Sequence, residues 1–176
     1  MNRREAREQA FILLFEQSLN HDGMEQIIET AELCGEGAYM VDAFAERLAL
    51  RAEEKQAELD EKIEKNIRGW KMNRLSKVSL AVLRLALCEM FWEADIPVSV
   101  SINEAVEIAK KYGGKEDAPF VNGVLGSVAK ELAQVGEETG KNPVEAGETG
   151  EEPPARPEAA GAEQAFATEK SAEPNV

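Results

Sequence analysis

The 176-residue sequence has little of what enzymes, metalloproteins and cofactor-binding proteins usually require. Its single histidine, His21, falls in a predicted turn, so neither a catalytic triad nor a histidine-rich metal site is expected around it. The phosphate-binding G-x-x-x-x-G-K-[ST] loop, the dinucleotide-binding G-x-G-x-x-G turn and the nucleophile elbow G-x-S-x-G are all missing. Acidic pairs such as Asp60–Glu61 lie on polar helix faces, which favours solvated surface over a catalytic pair. The sequence therefore predicts a protein that is not an enzyme and has no cofactor or metal.

Long apolar runs and closely spaced cysteines are also missing. The most apolar segment, residues 80–92, is interrupted by Arg84 and Glu89, whereas a membrane span needs about 20 predominantly apolar residues. The charged N-terminus lacks the apolar centre of a secretory signal. Cys34 and Cys88 stand far apart within apolar patterns, as expected of reduced core residues. These features predict a cytoplasmic protein without a membrane segment.

Charge is plentiful but unevenly distributed. The net charge is −14, and residues 136–176 contribute half of it, with ten glutamates against Lys141, Arg156 and Lys170. This region consists mostly of Glu, Pro, Gly and Ala, so it cannot bury enough apolar surface to offset the entropy of ordering. We predict one helical domain over residues 1–135 and a disordered acidic tail over residues 136–176.

Residues 1–135 are rich in helix formers, and their apolar residues recur at helical spacing without an alternating strand pattern. The segment over residues 76–94 is apolar nearly all round, which is typical of a helix in the middle of a bundle. Ser101 and Glu104 form a capping-box pattern, which indicates a helix N-terminus. We predict an all-α orthogonal bundle of about seven helices, over residues 3–19, 24–33, 39–51, 52–67, 76–94, 101–112 and from 117 onward.

The first helix opens with three arginines, Arg3, Arg4 and Arg7, whose spacing of three and four places them on one side of the helix. Cations are unfavourable at a helix N-terminus, so their presence indicates a partner that supplies negative charge. Phosphates fit, because the guanidinium fork matches them and displaced counterions add affinity. Alternatively, Glu5, Glu8 and acids near the core neutralise the arginines, and the spacing alone favours neither interpretation.

A second candidate is the segment KYGGKEDAPF, residues 111–120. Lys111 and Lys115 flank a glycine pair, and Phe120 follows at a helix start, beside the apolar stripe of that helix. A partly exposed ring beside lysines is suited to stacking unpaired RNA bases. A phenylalanine that plugs the helix junction is the alternative, since most Phe side chains are largely buried.

Four segments in this order and spacing resemble the NusB family: RREAREQA (3–10), VLRLALCEM (82–90), IPVSVSINEAVEIAKKYG (96–113) and FVNGVL (120–125). The resemblance covers residues 3–132. It implies an all-α fold of two packed subdomains and binding of boxA, a single-stranded element of ribosomal-operon leader RNA. It also implies a partner, the ribosomal protein called NusE, with which the factor helps RNA polymerase to read through terminators.

The resemblance also assigns roles to individual residues. Arg3, Arg4, Arg7 and Phe120 match RNA-contacting positions of the family, and Phe15 stands where some members have Tyr. The partner-facing surface corresponds to the segment around Trp70, Arg74 and Ser79, and Ser79 replaces an acidic residue that relatives often carry. Arg84 and Glu89 are expected to be paired structural charges, because they lie on a central helix.

Two alternatives to an antitermination factor remain open. The same helical domain also heads a ribosomal RNA cytosine methyltransferase, so the chain could be an RNA-binding module of that kind. It could also be a structural helical protein that self-associates, since some family members are thought to form homodimers across the RNA surface.

Overall fold

Residues 1–34 and 40–138 are described by a computed structural model of the protein. These residues form seven α-helices and one short 3-10 turn, with no strand among them, which confirms the predicted all-α fold. The helices are α1 (Arg3–Asn20), α2 (Met24–Cys34), α3 (Ala43–Glu54), α4 (Gln56–Asn66), α5 (Lys77–Trp92), α6 (Val98–Tyr112) and α7 (Asp117–Glu138), and the turn is Met72–Arg74.

Helix α5 occupies the centre of the bundle. It packs against α1 and α3 on one side and against α4, α6 and α7 on the other. Val82, Leu83 and Leu87 are fully buried, as expected for a helix that is apolar nearly all round. Its charged residue Arg84 forms a bidentate pair with Asp60 of α4 at 2.8 Å for both bonds, so the predicted structural role of Arg84 is confirmed.

The start of α6 differs from the sequence prediction. The helix begins at Val98, because Pro97 already has the extended backbone of an N-cap (φ −60°, ψ 138°) and its fixed φ suits the entry to a helix. Ser101 therefore lies inside the first turns, buried, with its hydroxyl unpaired among the described groups. The capping box predicted from Ser101 and Glu104 is wrong.

Two further boundaries are corrected. Helix α3 begins at Ala43, where the side chain of Asp42 accepts a hydrogen bond from the backbone N–H of Phe44, and the predicted start at residue 39 lies outside the described residues. Helix α7 continues through Glu138, three residues past the predicted domain boundary. The remainder of the predicted disordered tail, residues 139–176, also lies outside the described residues.

The two cysteines differ in environment. Cys88 is fully buried on α5, and loss of solvation raises the pKa of its thiol to about 12, so it remains a protonated core residue. Cys34, the last residue of α2, is exposed, contrary to the expectation that it belongs to the core. In the described part of the chain, no helix is long and apolar enough to cross a membrane.

Candidate nucleic-acid interface

One candidate surface lies where the first turns of α1 meet the C-terminal end of α6. Arg4 lies 3.8 Å from a carboxylate oxygen of Glu104 and 3.6 Å from one of Glu107. One turn further along α1, Glu8 accepts hydrogen bonds from Lys111 Nζ and from the Tyr112 hydroxyl. The fold thus brings the predicted residues Arg4 and Lys111 onto one surface. We call these six residues the α1–α6 surface: Arg4, Glu8, Glu104, Glu107, Lys111 and Tyr112.

The cations of the α1–α6 surface already have acidic neighbours. The hydrogen bond from Lys111 is the main cause that lowers the pKa of Glu8, and the same bond raises the pKa of Lys111. The side chains of Arg4 and Lys111 are nevertheless 65% and 60% exposed. Because exposed ion pairs are weak, a phosphate can replace these carboxylates at small cost.

Arg3 is directed to the other side of α1. Its guanidinium carbon lies 4.1 Å from the ring centroid of Phe44 on α3, and that of Arg47 lies 5.2 Å from the same centroid. Cation–π contacts of this kind leave the guanidinium edges free for hydrogen bonds. Arg3 therefore lies beside Phe44, outside the α1–α6 surface, and has no acidic partner among the described residues.

Arg7 is not a surface residue, and its prediction as an RNA contact is corrected. It is only 5% exposed and forms a bidentate pair with Glu89 of α5, with Nε 2.8 and 3.0 Å from the two carboxylate oxygens and Nη2 2.6 Å from one of them. The helical spacing of the arginines is regular, but position 7 faces the central helix. For Arg7, neutralisation by an acid near the core is the correct interpretation, and the predicted structural role of Glu89 is confirmed.

Phe120 and Trp70 are in contact, although the sequence assigned one to RNA and the other to a protein partner. Their ring centroids are 5.7 Å apart, with 58° between the ring planes. Phe120 is half-buried, whereas Trp70 is 39% exposed. The preceding Lys115 is exposed and has no acidic partner within the described ranges. The two predicted sites therefore adjoin each other.

Asp117, at the start of α7, holds this region in place and was missed by the sequence analysis. Its Oδ1 accepts hydrogen bonds from the hydroxyls of Ser76 and Ser79, both at 2.5 Å, and its Oδ2 accepts one from the backbone N–H of Gly114 at 2.6 Å. Partial burial raises the pKa of Asp117, but these hydrogen bonds outweigh it and the net pKa is lowered. The ionised carboxylate thus joins α5, α7 and the turn that carries Lys115.

Gly113 is required in the same turn. A Cβ atom at this position would lie 2.7 Å from the carbonyl oxygen of Ala109 and 2.8 Å from the side chain of Asp117. The Gly-Gly pair followed by an acidic residue at a helix start is the signal from which Asp117 could have been found.

The predicted partner surface is only partly exposed. Arg74 lies on the surface, but Ser79 is 1% exposed and donates to Asp117, so its prediction as a partner contact is corrected. The Ser79 side chain, in the first turn of α5, faces the junction with α7. Phe15 is half-buried and stacks against Phe11, with 5.9 Å between ring centroids.

Trp70 and Arg74, predicted as part of the partner-facing surface, belong to a longer basic segment between α4 and α5 whose other cations were not predicted. Every third residue from Lys65 to Lys77 is basic, and the segment contains no Asp or Glu. Its central cations are exposed and have no acidic partner in the described part of the chain: Arg68, Lys71 and Arg74. We call residues 65–77 the basic segment. This period of three is visible in the sequence, although the chain as a whole has a net charge of −14.

Exposed cations thus surround partly exposed aromatic rings, and the described residues include no group of three side chains suited to a metal ion. Together with the seven-helix bundle, these surfaces define a helical binding protein suited to polyanions. Residues 4–130 match the sequence model of the NusB family. The chain therefore belongs to the NusB family, and this membership makes it a non-enzymatic factor, as the sequence predicted.

Named relatives agree with this assignment. The chain is 44% identical over 142 residues to a transcription antitermination protein NusB of Clostridium botulinum, covering 73% of this chain and 99% of the relative. A solved structure of NusB from T. maritima is 39% identical and superposes with a TM-score of 0.64, covering 74% of this chain and 92% of that one. A chain from a crystal structure of antitermination factors NusB and NusE in complex with double-stranded RNA is 27% identical, with a TM-score of 0.60, covering 73% and 96%.

Proposed function

We propose that this chain is a cytoplasmic transcription antitermination factor. It binds the single-stranded boxA element of ribosomal RNA leader transcripts together with a ribosomal protein of the NusE type, and so promotes read-through by RNA polymerase. The observation that carries the proposal is that a bundle of the NusB family exposes Arg4 and Lys111 on the α1–α6 surface, with the exposed Lys115 and the half-buried Phe120 following Lys111 along the chain.

The comparisons favour this function over the two alternatives. A relative that this chain covers over 99% of its length is an antitermination protein, which favours an antitermination factor over a methyltransferase module. A structural relative assembles with NusE and RNA, which supports an adaptor over a purely self-associating protein. That RNA is double-stranded, so the preference for a single strand rests on the exposed aromatic rings, which need unpaired bases to stack on.

The RNA contacts divide into two chemical kinds. Arg3, Arg4, Lys111 and Lys115 bind phosphates, because each is exposed and carries a charge that is unpaired or only weakly paired. Phe120 stacks against a base, and Phe15, which is half-buried on α1 against Phe11, contributes a further apolar contact to the RNA. The protein partner contacts the exposed Arg74, and Trp70 lies where RNA and partner meet.

Titration of a labelled single-stranded boxA oligonucleotide tests the proposal, with a duplex of the same sequence as competitor. We expect affinity to fall steeply with salt, with a slope of about −0.7 per phosphate contact. The Phe120→Leu variant should bind about 5- to 150-fold more weakly, since stacking contributes about 1–3 kcal/mol per base, whereas Phe120→Tyr should bind normally.

A ribosomal protein of the NusE type should strengthen the complex of the wild-type protein with RNA. No binding at low salt, with or without that partner, would refute the proposed function. A Phe120→Leu protein with a lowered melting temperature and unchanged RNA affinity would instead show that Phe120 serves packing alone.

A further inference from the structure

The basic segment concentrates positive charge that the protein itself does not neutralise. Lys65 pairs with Glu131 at 3.4 Å and Lys77 donates to the carbonyl oxygen of Ser18. The cations between them, Arg68, Lys71 and Arg74, have no acidic partner within residues 1–34 and 40–138. On a chain of net charge −14, such a group attracts a polyanion locally even though the whole molecule does not.

Trp70 lies at the centre of this segment and is held in position. The residue is 39% exposed, and its ring contacts Phe120, whose helix is anchored at Asp117 by three hydrogen bonds. A ring that is already fixed loses little conformational entropy when a ligand stacks on it. Trp70 and Phe120 contact each other, and exposed cations lie near both along the chain: Arg68 and Lys71 beside Trp70, and Lys115 five residues before Phe120.

We infer that the basic segment is a second RNA-binding surface, on which Trp70 stacks an unpaired base while Arg68 and Lys71 bind the adjoining phosphates. The inference rests on the proposed function and lengthens its RNA path from Phe120 onto the connection between α4 and α5. Stacking on aromatic rings beside cations is how proteins hold single-stranded nucleic acid.

The observations favour RNA over an acidic protein at this place. An acidic peptide would also be attracted to Arg68 and Lys71, and tryptophan is common in protein interfaces. RNA is favoured here because Trp70 contacts Phe120, the proposed base-stacking residue. A flexible polynucleotide can pass continuously from one ring to the other, because every base offers a flat apolar face.

Removal of charge gives the first test, in the full chain and without any protein partner. The variant R68Q/K71Q loses two exposed cations of the basic segment, and K62Q/K130Q loses two lysines elsewhere on the surface, Lys62 over the Phe91 ring and Lys130 on α7. Anisotropy with a labelled single-stranded boxA oligonucleotide should show about tenfold weaker binding for R68Q/K71Q near 0.15 M salt. Its salt slope should flatten by about 1.4, or 0.7 for each lost phosphate contact, and the control should retain the wild-type slope.

Replacement of the ring gives the second test. Trp70→Leu should weaken RNA binding at least about fivefold, the lower end of what base stacking contributes, while Trp70→Phe restores most of the affinity. Melting temperatures of all variants are measured in parallel, and the fivefold loss is scored on protein that is folded at the assay temperature.

The outcomes separate this inference from the proposed function. If wild type binds RNA and Phe120→Leu weakens it, but R68Q/K71Q and Trp70→Leu bind like wild type, the proposed function stands and the second surface is refuted. If R68Q/K71Q and Trp70→Leu bind RNA like wild type but no longer bind the ribosomal protein, the basic segment is a protein-binding surface and the inference is likewise overturned. If wild-type protein binds no RNA, both fail.

Discussion

Two cationic regions of this protein differ in how their charges are used. On the α1–α6 surface, Arg4 and Lys111 lie against Glu104, Glu107 and Glu8. In the basic segment, no described acid lies against the central cations. The α1–α6 surface therefore combines two basic residues with three glutamates, whereas the basic segment has five basic residues and no Asp or Glu.

The difference teaches that a count of arginines and lysines is a poor guide to a polyanion site. Of the arginines at the start of the sequence, Arg7 is buried in a structural pair with Glu89, and Arg4 is partly neutralised by Glu104 and Glu107. The basic segment, by contrast, presents unneutralised charge near the exposed Trp70. Phosphates compete with acids in the first region and only with counterions in the second.

The largest effect on stability is expected from substituting Arg7, which is buried in the core and not part of the exposed cationic surface. Arg7→Met leaves Glu89 buried without a counter-charge, and we expect the free energy of unfolding in urea to fall by about 3–5 kcal/mol. The double variant R7M/E89M should recover most of this loss, because neither charge then remains buried. Folded R7M protein should bind RNA like wild type. If the Arg7→Met protein had normal stability but no longer bound RNA, Arg7 would be an RNA contact after all.

A smaller effect is expected at Asp117, which positions the turn between the two regions. Asp117→Asn removes the charge and leaves one acceptor oxygen in place of two, so the side chain can no longer accept all three hydrogen bonds as the carboxylate does. The free energy of unfolding should therefore fall by about 1–2 kcal/mol at neutral pH, an amount limited by partial solvation. Because the folded-state pKa of Asp117 is below its ordinary value of 3.8, this stabilisation is complete above that pH and is lost as pH falls through the folded pKa.

Urea unfolding over a pH series measures this dependence. The difference between wild type and Asp117→Asn should be constant from neutral pH down to about 5 and should narrow below 3.8. A difference that is the same at every pH would show that the carboxylate charge does not contribute.

The smallest expected effect is on RNA affinity, and it tests directly whether paired and free cations differ. Glu8→Gln removes the acid that Lys111 contacts, so RNA affinity should rise about threefold as the cation becomes available to phosphate. Glu64→Gln, an exposed acid on α4 without a described partner, makes the same charge change and should alter affinity much less. Equal gains from both variants would mean that only net charge matters, and the distinction between paired and free cations would be lost.

Much of the fold could be predicted from the sequence, because the apolar periodicity of the helices is a local property. Pro97 shows where local patterns compete: its fixed φ begins α6 and overrides the Ser101–Glu104 signal. The candidate site was harder to predict from the sequence. Glu89, the partner of Arg7, lies 82 residues away, and only the packed bundle brings the two together. The same holds for Ser79, whose burial depends on Asp117 of another helix.

The contact between Trp70 and Phe120 has a practical consequence. The chain has only two tryptophans, and the other, Trp92, is half-buried at the end of α5. Replacing Trp92 by Phe would leave Trp70 as the sole indole emitter, placed against Phe120. Its intrinsic fluorescence would then report occupancy of this junction directly, without a dye on either molecule.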